Sequence, residues 1–481
     1  MYKTSARSFL LAVALAPSSV AGELSDRILV GYWHNWTSPN ALRLTEVPGE
    51  FDVVNVAFAT PTVPSGAFMQ FTPDASIYPD PQDFIVDLRA LQSQGRKVLI
   101  SIGGGADPVH VDDANDVADF VQSMLAIVTS YGFDGMDIDL EGNSLSLDPG
   151  DGDFRAPSTP RIVHFIDAVE QTLAQLPPEF LLSAAPETAY VQGGYGTYAG
   201  VWGAYLPVLH ALRDELDLVH VQHYNSGSMY GRDGNIYVPA TADFHVAMAD
   251  SLLAGFTVDR WGAGIFFEPL QASQVAIGLP ATDQAAGSGY TPPAVVHQAL
   301  DALYLGRDHG GSYTMADPEG YPGFRGLMTW SANWDVDGGQ EFSREHRRYL
   351  DWLHLEGDAG TISAASGGTV RFELRAGRGN AGRRYFLLGS VTGTEPGTPL
   401  PGGHVVLPLN WDLFTRVVLQ PAYSSVFQDF FGVLDAAGDG LAQLVVPPVS
   451  PGLVGLHMDY AFALASPWDF ASNPYGVDIV H

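Results

Sequence analysis

Over residues 27–335, eight short apolar runs alternate with segments of helical spacing, and a tail of β-type runs without helical stretches follows. Together these predict an α/β chain: a (β/α)8 TIM barrel followed by a small all-β, sandwich-like domain. The expected barrel strands are 27–33 (RILVGYW), 52–60, 97–105, 135–142, 180–187, 216–225, 274–281 and 326–335. Most gaps carry a helical pattern, as at 83–95, 116–132, 161–176 and 294–306. Strands buried on both faces and separated by helices imply a parallel sheet. Eight such units fit a closed barrel, and GYWHNW (31–36) is aromatic where a doubly wound sheet would place a Gly-rich phosphate loop. Several runs end in polar or aromatic residues (SIGGG, DLEG, APE, QHYN, TWSANW), and in a barrel those ends converge on the catalytic face.

The tail divides the chain further. Residues 357–368 are small and read as a linker, and 369–481 as the β-sandwich, with strands expected at 369–376, 383–391, 404–410, 416–421, 441–448 and 453–464. Residues 22–356 then form the catalytic barrel. Before it, Lys3 and Arg7 precede the apolar core 9–16 (FLLAVALA), with Ser19 and Ala21 at the cleavage positions. This is the pattern of a secretory signal peptide, 1–21, in place of a fraying N-terminal helix. The mature protein is expected to be secreted, soluble and monomeric. Its 54 acidic and 23 basic residues give a net charge of -31, which argues against nucleic acid or anionic membrane as partners. With no cysteine there is neither disulfide nor thiol chemistry.

The stretch DGMDIDLEG (134–142) concentrates the chemistry. Side chains on a strand alternate between faces, so Asp137, Asp139 and Glu141 share one face, and Met136, Ile138 and Leu140 the other. The apolar set is expected to pack on the helices while the acids point into the barrel. Stacked, desolvated carboxyls cannot all ionise; a proton shared along the column leaves an acid protonated near neutral pH, as a general acid requires. A solvated acidic loop would not alternate in this way. A calcium loop starting at Asp137 would place Gly142 sixth and Asp148 twelfth, but Ile138 and Leu140 are apolar where such loops are polar.

D-x-x-D-x-D-x-E, filled here by Asp134, Asp137, Asp139 and Glu141, resembles the signature of glycoside hydrolase family 18, the chitinases and related endo-N-acetylglucosaminidases. SIGG (101–104), QHYN (222–225) and TWS (329–331) are similar to that family's further motifs, in order, over roughly residues 27–355. The resemblance implies a retaining, substrate-assisted mechanism in which the sugar's own acetamido group attacks the anomeric carbon. By position, Glu141 is then acid and base, Asp139 orients the acetamido group, Asp137 exchanges a proton with Asp139, and Asp134 is structural. Tyr224 matches the tyrosine that bonds the acetamido carbonyl. Gln222 and Asn225 stand where many members have Met and Asp, which leaves the donor set around the sugar open. Trp330 would floor the reacting sugar. Glu187, Tyr32 and Phe58 complete the expected substrate contacts, with a salt-bridged structural role the alternative for Glu187 and core packing for Tyr32, Trp33 and Trp36.

No metal or organic cofactor is implied. The resemblance implies chitin or another N-acetylglucosamine polysaccharide as the partner. Ala281 and Gly326 lie 45 positions apart, too few for the inserted domain of exo-acting relatives, so endo cleavage is expected. An endo-β-N-acetylglucosaminidase acting on glycoprotein glycans is the alternative. A non-catalytic chitin-binding lectin would usually have lost the terminal Glu, which is present as Glu141. In the tail, Trp411, Tyr423, Trp468 and Tyr475 are either a polysaccharide-binding face or core.

Overall fold

The structure, a computed structural model, describes residues 24–481 apart from positions 26, 39, 352, 378, 379, 404 and 437; the expected signal peptide lies outside the described residues. Eight strands close into a barrel: β1 (Ile28–His34), β2 (Val53–Pro61), β3 (Lys97–Gly104), β4 (Gly135–Leu140), β5 (Leu181–Ala184), β6 (Leu218–Gln222), β7 (Val275–Pro280) and β8 (Gly326–Trp330). Each pairs in parallel with the next, and β8 pairs back onto β1. Seven strands end within three residues of their expected runs; the eighth, expected over 326–335, stops at Trp330, and helix Ala332–Asp337 takes the remainder.

Helices α1 (Pro81–Ser93), α2 (Ala114–Tyr131), α3 (Pro160–Leu173), α4 (Leu206–Ala211), α5 (Ala242–Ala254), α6 (Pro293–Leu305), α7 (Ala332–Asp337) and α8 (Glu341–Asp351) connect and flank the strands. Their starts are chemically specified. Asp80, Asp113 and Thr241 cap α1, α2 and α5 by accepting backbone N–H groups, and Pro81, Pro160 and Pro293 open helices where no N–H is needed. The largest core cluster lies between sheet and helices and takes in Met136, Ile138 and Leu140 of β4, none more than 1% exposed. A smaller apolar cluster (Ile28, Val30, Val53, Leu99, Leu218, Met328) fills the lumen.

At the N-terminal ends of the strands one device recurs. Asp52, Asp134 and Asp217, each just before a strand, accept the backbone N–H of Leu29, Val98 and Leu182 on the preceding strand at 2.8 Å. Asp134 also accepts from Gln92 Nε2 at 2.9 Å. It therefore belongs to barrel closure, far from the strand's other end.

The C-terminal region is two packed sheets. One orders Leu355–Gly357, Gly368–Arg375, Asp439–Val446 and Phe427–Gln428; the other Thr361–Ser363, Tyr475–Val480, His457–Ala465, Arg384–Ser390 and Phe431–Val433. Three expectations are corrected here. The segment expected to be a linker carries the strand Thr361–Ser363, which pairs with Tyr475–Val480 and completes a sheet edge that small side chains do not obstruct. Residues 416–421 were expected as a strand, but Leu413–Val418 is a helix, α9: Asp412 accepts the N–H of Thr415 at 2.9 Å, and this cap outweighs the β-branched side chains. The closing strand Tyr475–Val480 carried too little apolar contrast to stand out.

The four aromatics singled out in this region divide between core and surface. Tyr475 is 7% exposed in the domain core, Trp468 packs on Phe386, and Trp411 and Tyr423 are exposed. Arg27, before β1, bonds His354, and Arg307, after α6, pairs with Asp439 at 2.5 Å. Both contacts are at the barrel pole opposite the strand C-terminal ends.

Candidate active site

Because β3, β4 and β5 are in register, Ser101, Asp137 and Ser183 stand side by side in the lumen. Asp137 Oδ2 accepts from Tyr32 Oη at 2.5 Å and Ser101 Oγ at 2.7 Å, and Oδ1 from Ser183 Oγ at 2.6 Å. His220 Nε2 lies 3.3 Å from Oδ1. Burial alone would push the Asp137 carboxyl up, but the His220 imidazole and the Ser183 and Tyr32 hydroxyls hold it below the usual carboxylate range. Asp137 is fully buried and ionised.

Two residues on, Asp139 is just as buried and behaves oppositely. Desolvation, then the charges of Glu141 and Asp137, push its carboxyl well up, and it donates a hydrogen bond to Glu141. Glu141, at the strand's end, is also raised by desolvation; the bonds from Gln222 and Asp139 offset part of that. Gln222 Nε2 reaches Asp139 Oδ1 (2.9 Å), Glu141 Oε1 (3.1 Å) and Ala185 O (3.0 Å). Gln222 lines the cleft, but its amide is directed at the two acids. Beside Glu141, burial and the Glu141 charge push Glu187 up to about 7.

The acids open into a cleft of about 830 Å³, lined among others by Trp36, Phe58, Asp107, Glu141, Tyr224 and Trp330. Its floor is aromatic. Phe58 and Trp330 stack with centroids 5.9 Å apart and planes at 11°, and Trp36 stacks on Phe58 at 6.3 Å. The pairing of β2 with β3 slips between Ala57 and Ala59, a bulge that turns Phe58 toward the cleft. The two glycines of SIGG have steric reasons. Gly103 has φ +102°, and a Cβ there would sit 2.7 Å from Asp139 O; Gly104 has φ +76°, and a Cβ would meet the Phe58 ring at 2.7 Å.

The site residues sort as follows. Glu141, Asp139, Asp137, Tyr224, Gln222, Trp330 and Phe58 come together at one end of the barrel. Asn225 reaches the cleft rim, where its Oδ1 accepts from the backbone N–H of Gly287 (2.8 Å) and Ser288 (3.2 Å). Tyr32 was expected among the substrate contacts and is corrected: it is 1% exposed, below the floor, and its hydroxyl belongs to Asp137. Of the first-strand aromatics, Trp33 is core, packed on Tyr78 and Phe84, whereas Trp36 lines the cleft. Glu187 stands next to Glu141 without lining the cleft. Ser101, Ser183 and His220 went unnoticed in the sequence. The signal for Ser183 and His220 was a polar residue at a lumen-facing position of an apolar strand; Ser101 opens SIGG, but nothing tied it to Asp137. Among the described residues, no group of three or more His, Asp or Glu side chains is placed to hold a metal ion, and no helix is long and apolar enough to cross a membrane.

A closed parallel barrel that ends one strand in a raised-pKa acid above stacked aromatic rings has the architecture of a barrel glycoside hydrolase. The chain belongs to the glycosyl hydrolases family 18, which residues 28–297, more than half of its length, match. It is 50% identical over 342 residues to Chitinase D of Niallia circulans, covering 70% of this chain and 64% of that one. It is 44% identical over 351 residues to Exochitinase 1 of Streptomyces olivaceoviridis, covering 70% and 58%. The chain thus spans less than two thirds of the length of these curated relatives. Among solved structures, a family GH18 chitinase from Chromobacterium violaceum superposes with a TM-score of 0.63 at 38% identity, covering 69% of this chain and 86% of that one.

Proposed function

We propose that this chain is an endo-acting chitinase that hydrolyses β-1,4-linked N-acetylglucosamine polymers with retention of configuration. The observation that carries the reading is the pair Asp139–Glu141: one buried and one half-buried carboxyl, both raised, hydrogen-bonded to each other at the edge of an aromatic-floored cleft. As Asp139 turns to the acetamido group its proton passes to Glu141, which gives it to the glycosidic oxygen as the bond to C1 breaks. The acetamido oxygen of the same sugar attacks C1 from the opposite face and forms an oxazolinium ion. Asp139 accepts the acetamido N–H and stabilises the developing positive charge, while Tyr224 donates to the acetamido oxygen. Water deprotonated by Glu141 then adds to C1 and opens the ring. Asp137, fixed as an anion beneath, keeps a proton on the upper pair. Trp330 and Phe58 offer flat faces to the sugar and exclude water.

The deciding experiment is Glu141→Gln assayed on N-acetylglucosamine oligomers: kcat should fall at least ~10³-fold with fold and oligomer binding retained. Near-normal turnover would remove the assignment. Endo cleavage is supported by the segment between β7 and β8, which among the described residues holds α6 and loops but no added sheet. Because one relative is named an exochitinase, mode needs its own test: a soluble chitin derivative should lose viscosity early. Disaccharide release from chain ends without that loss would overturn the endo reading. Export by the segment 1–21 predicts a mature N-terminus at Gly22 in the culture medium.

A further inference from the structure

Between Gln222 and Tyr224, His223 points the other way, out of the lumen toward α5. Its ring lies parallel to that of His245, planes at 3°, with the two Nδ1 atoms 3.1 Å apart. His245 Nε2 is 2.9 Å from Thr291 Oγ1, and Thr291 Oγ1 donates to Gly289 O at 3.1 Å. All three side chains are at most 5% exposed. With the hydroxyl proton of Thr291 given to Gly289, Thr291 accepts from His245 Nε2–H. His245 Nδ1 is then a lone pair, and His223 Nδ1–H must donate to it. The chain is therefore directional: β6 to α5 to the loop after β7.

That loop lies on Tyr224. Gly289 has φ +93°, and a Cβ there would be 2.5 Å from Tyr224 Cα and 2.7 Å from its Cβ. Asn225 holds the same loop from the rim through Gly287 and Ser288. We propose that His223, His245 and Thr291 are positioning residues: they pin the Gly289 backbone flat against Tyr224 and so fix the phenol over the reacting sugar. The assignment rests on the role given to Tyr224 above.

The test is a double-mutant cycle on chitin oligomers. Thr291→Val keeps the shape and removes the hydroxyl; it should lower kcat roughly 10-fold with KM within about twofold, and Thr291→Ser should restore the rate. In a Tyr224→Phe background the same Thr291→Val change should cost less than about twofold more, since both act through one phenol. Wild-type kinetics in Thr291→Val beside a slow Tyr224→Phe, failure of serine to rescue, or an undiminished loss in the double mutant would each overturn the positioning role alone. A fully active Tyr224→Phe would overturn both it and the proposed role of Tyr224. Independently of any variant, ¹⁵N-histidine NMR of the unmodified protein should find His223 protonated at Nδ1 and His245 at Nε2; any other tautomer pair overturns the chain.

Discussion

The lower and upper ends of the acidic column differ in charge although both are desolvated. Asp137, below, receives three hydroxyl hydrogen bonds and an imidazole neighbour, and is held ionised. Asp139 and Glu141, above, share one amide with each other and with a backbone carbonyl, and both are pushed toward the protonated form. Burial alone therefore does not set the charge of a carboxyl here: donors aimed at Asp137 offset it, and like charges beside Asp139 add to it. The lower end is an anchor and the upper end a proton store.

This contrast can be broken from either side. Removing an upper acid should cost rate and spare stability: Asp139→Asn is expected to lower kcat on oligomers by roughly 10²–10³-fold with an unchanged or raised Tm. A large loss of Tm would make Asp139 a second anchor. Removing the lower acid should cost stability first. Asp137→Ala leaves the hydroxyls of Tyr32, Ser101 and Ser183 without their acceptor, and the unfolding free energy from urea titration should fall by about 3 kcal/mol. Removing one donor is gentler: Ser183→Ala should cost about 1 kcal/mol and move the Asp137 carboxyl upward, measurable by carboxyl NMR.

The smallest effect concerns Glu187. Its folded pKa, about 7, lies above its unfolded value, so the folded state binds the proton more tightly. Stability is then lost as pH rises from the unfolded value through about 7, and it stays lost above that. Glu187→Gln should accordingly gain on the parent by about 1 kcal/mol at pH 8, after allowance for its partial exposure, and by nothing at pH 4. An equal difference at both pH values would show that neither burial nor the Glu141 charge raises it.

Much of this was legible in the order of residues. Alternation alone put Met136, Ile138 and Leu140 against the helices and Asp137, Asp139 and Glu141 in the lumen, because a strand has only two faces. The eight strand runs were legible for the same reason, being apolar on both sides. Helix α9 was not, because its cap depends on one Asp412–Thr415 pair inside a β-branched run. Tyr32 was misplaced by one layer: its position on β1 says that it faces inward, but not how high the floor lies above it.

By itself, then, the sequence determined the barrel, the face each acid occupies and the residue at the strand's end, since these follow from local periodicity. Only the tertiary structure decided which acid is charged, which aromatics floor the cleft and what fixes Tyr224. Those depend on Ser101, Ser183, His220, His245 and Thr291, which come from five separate elements and meet only through barrel register and closure.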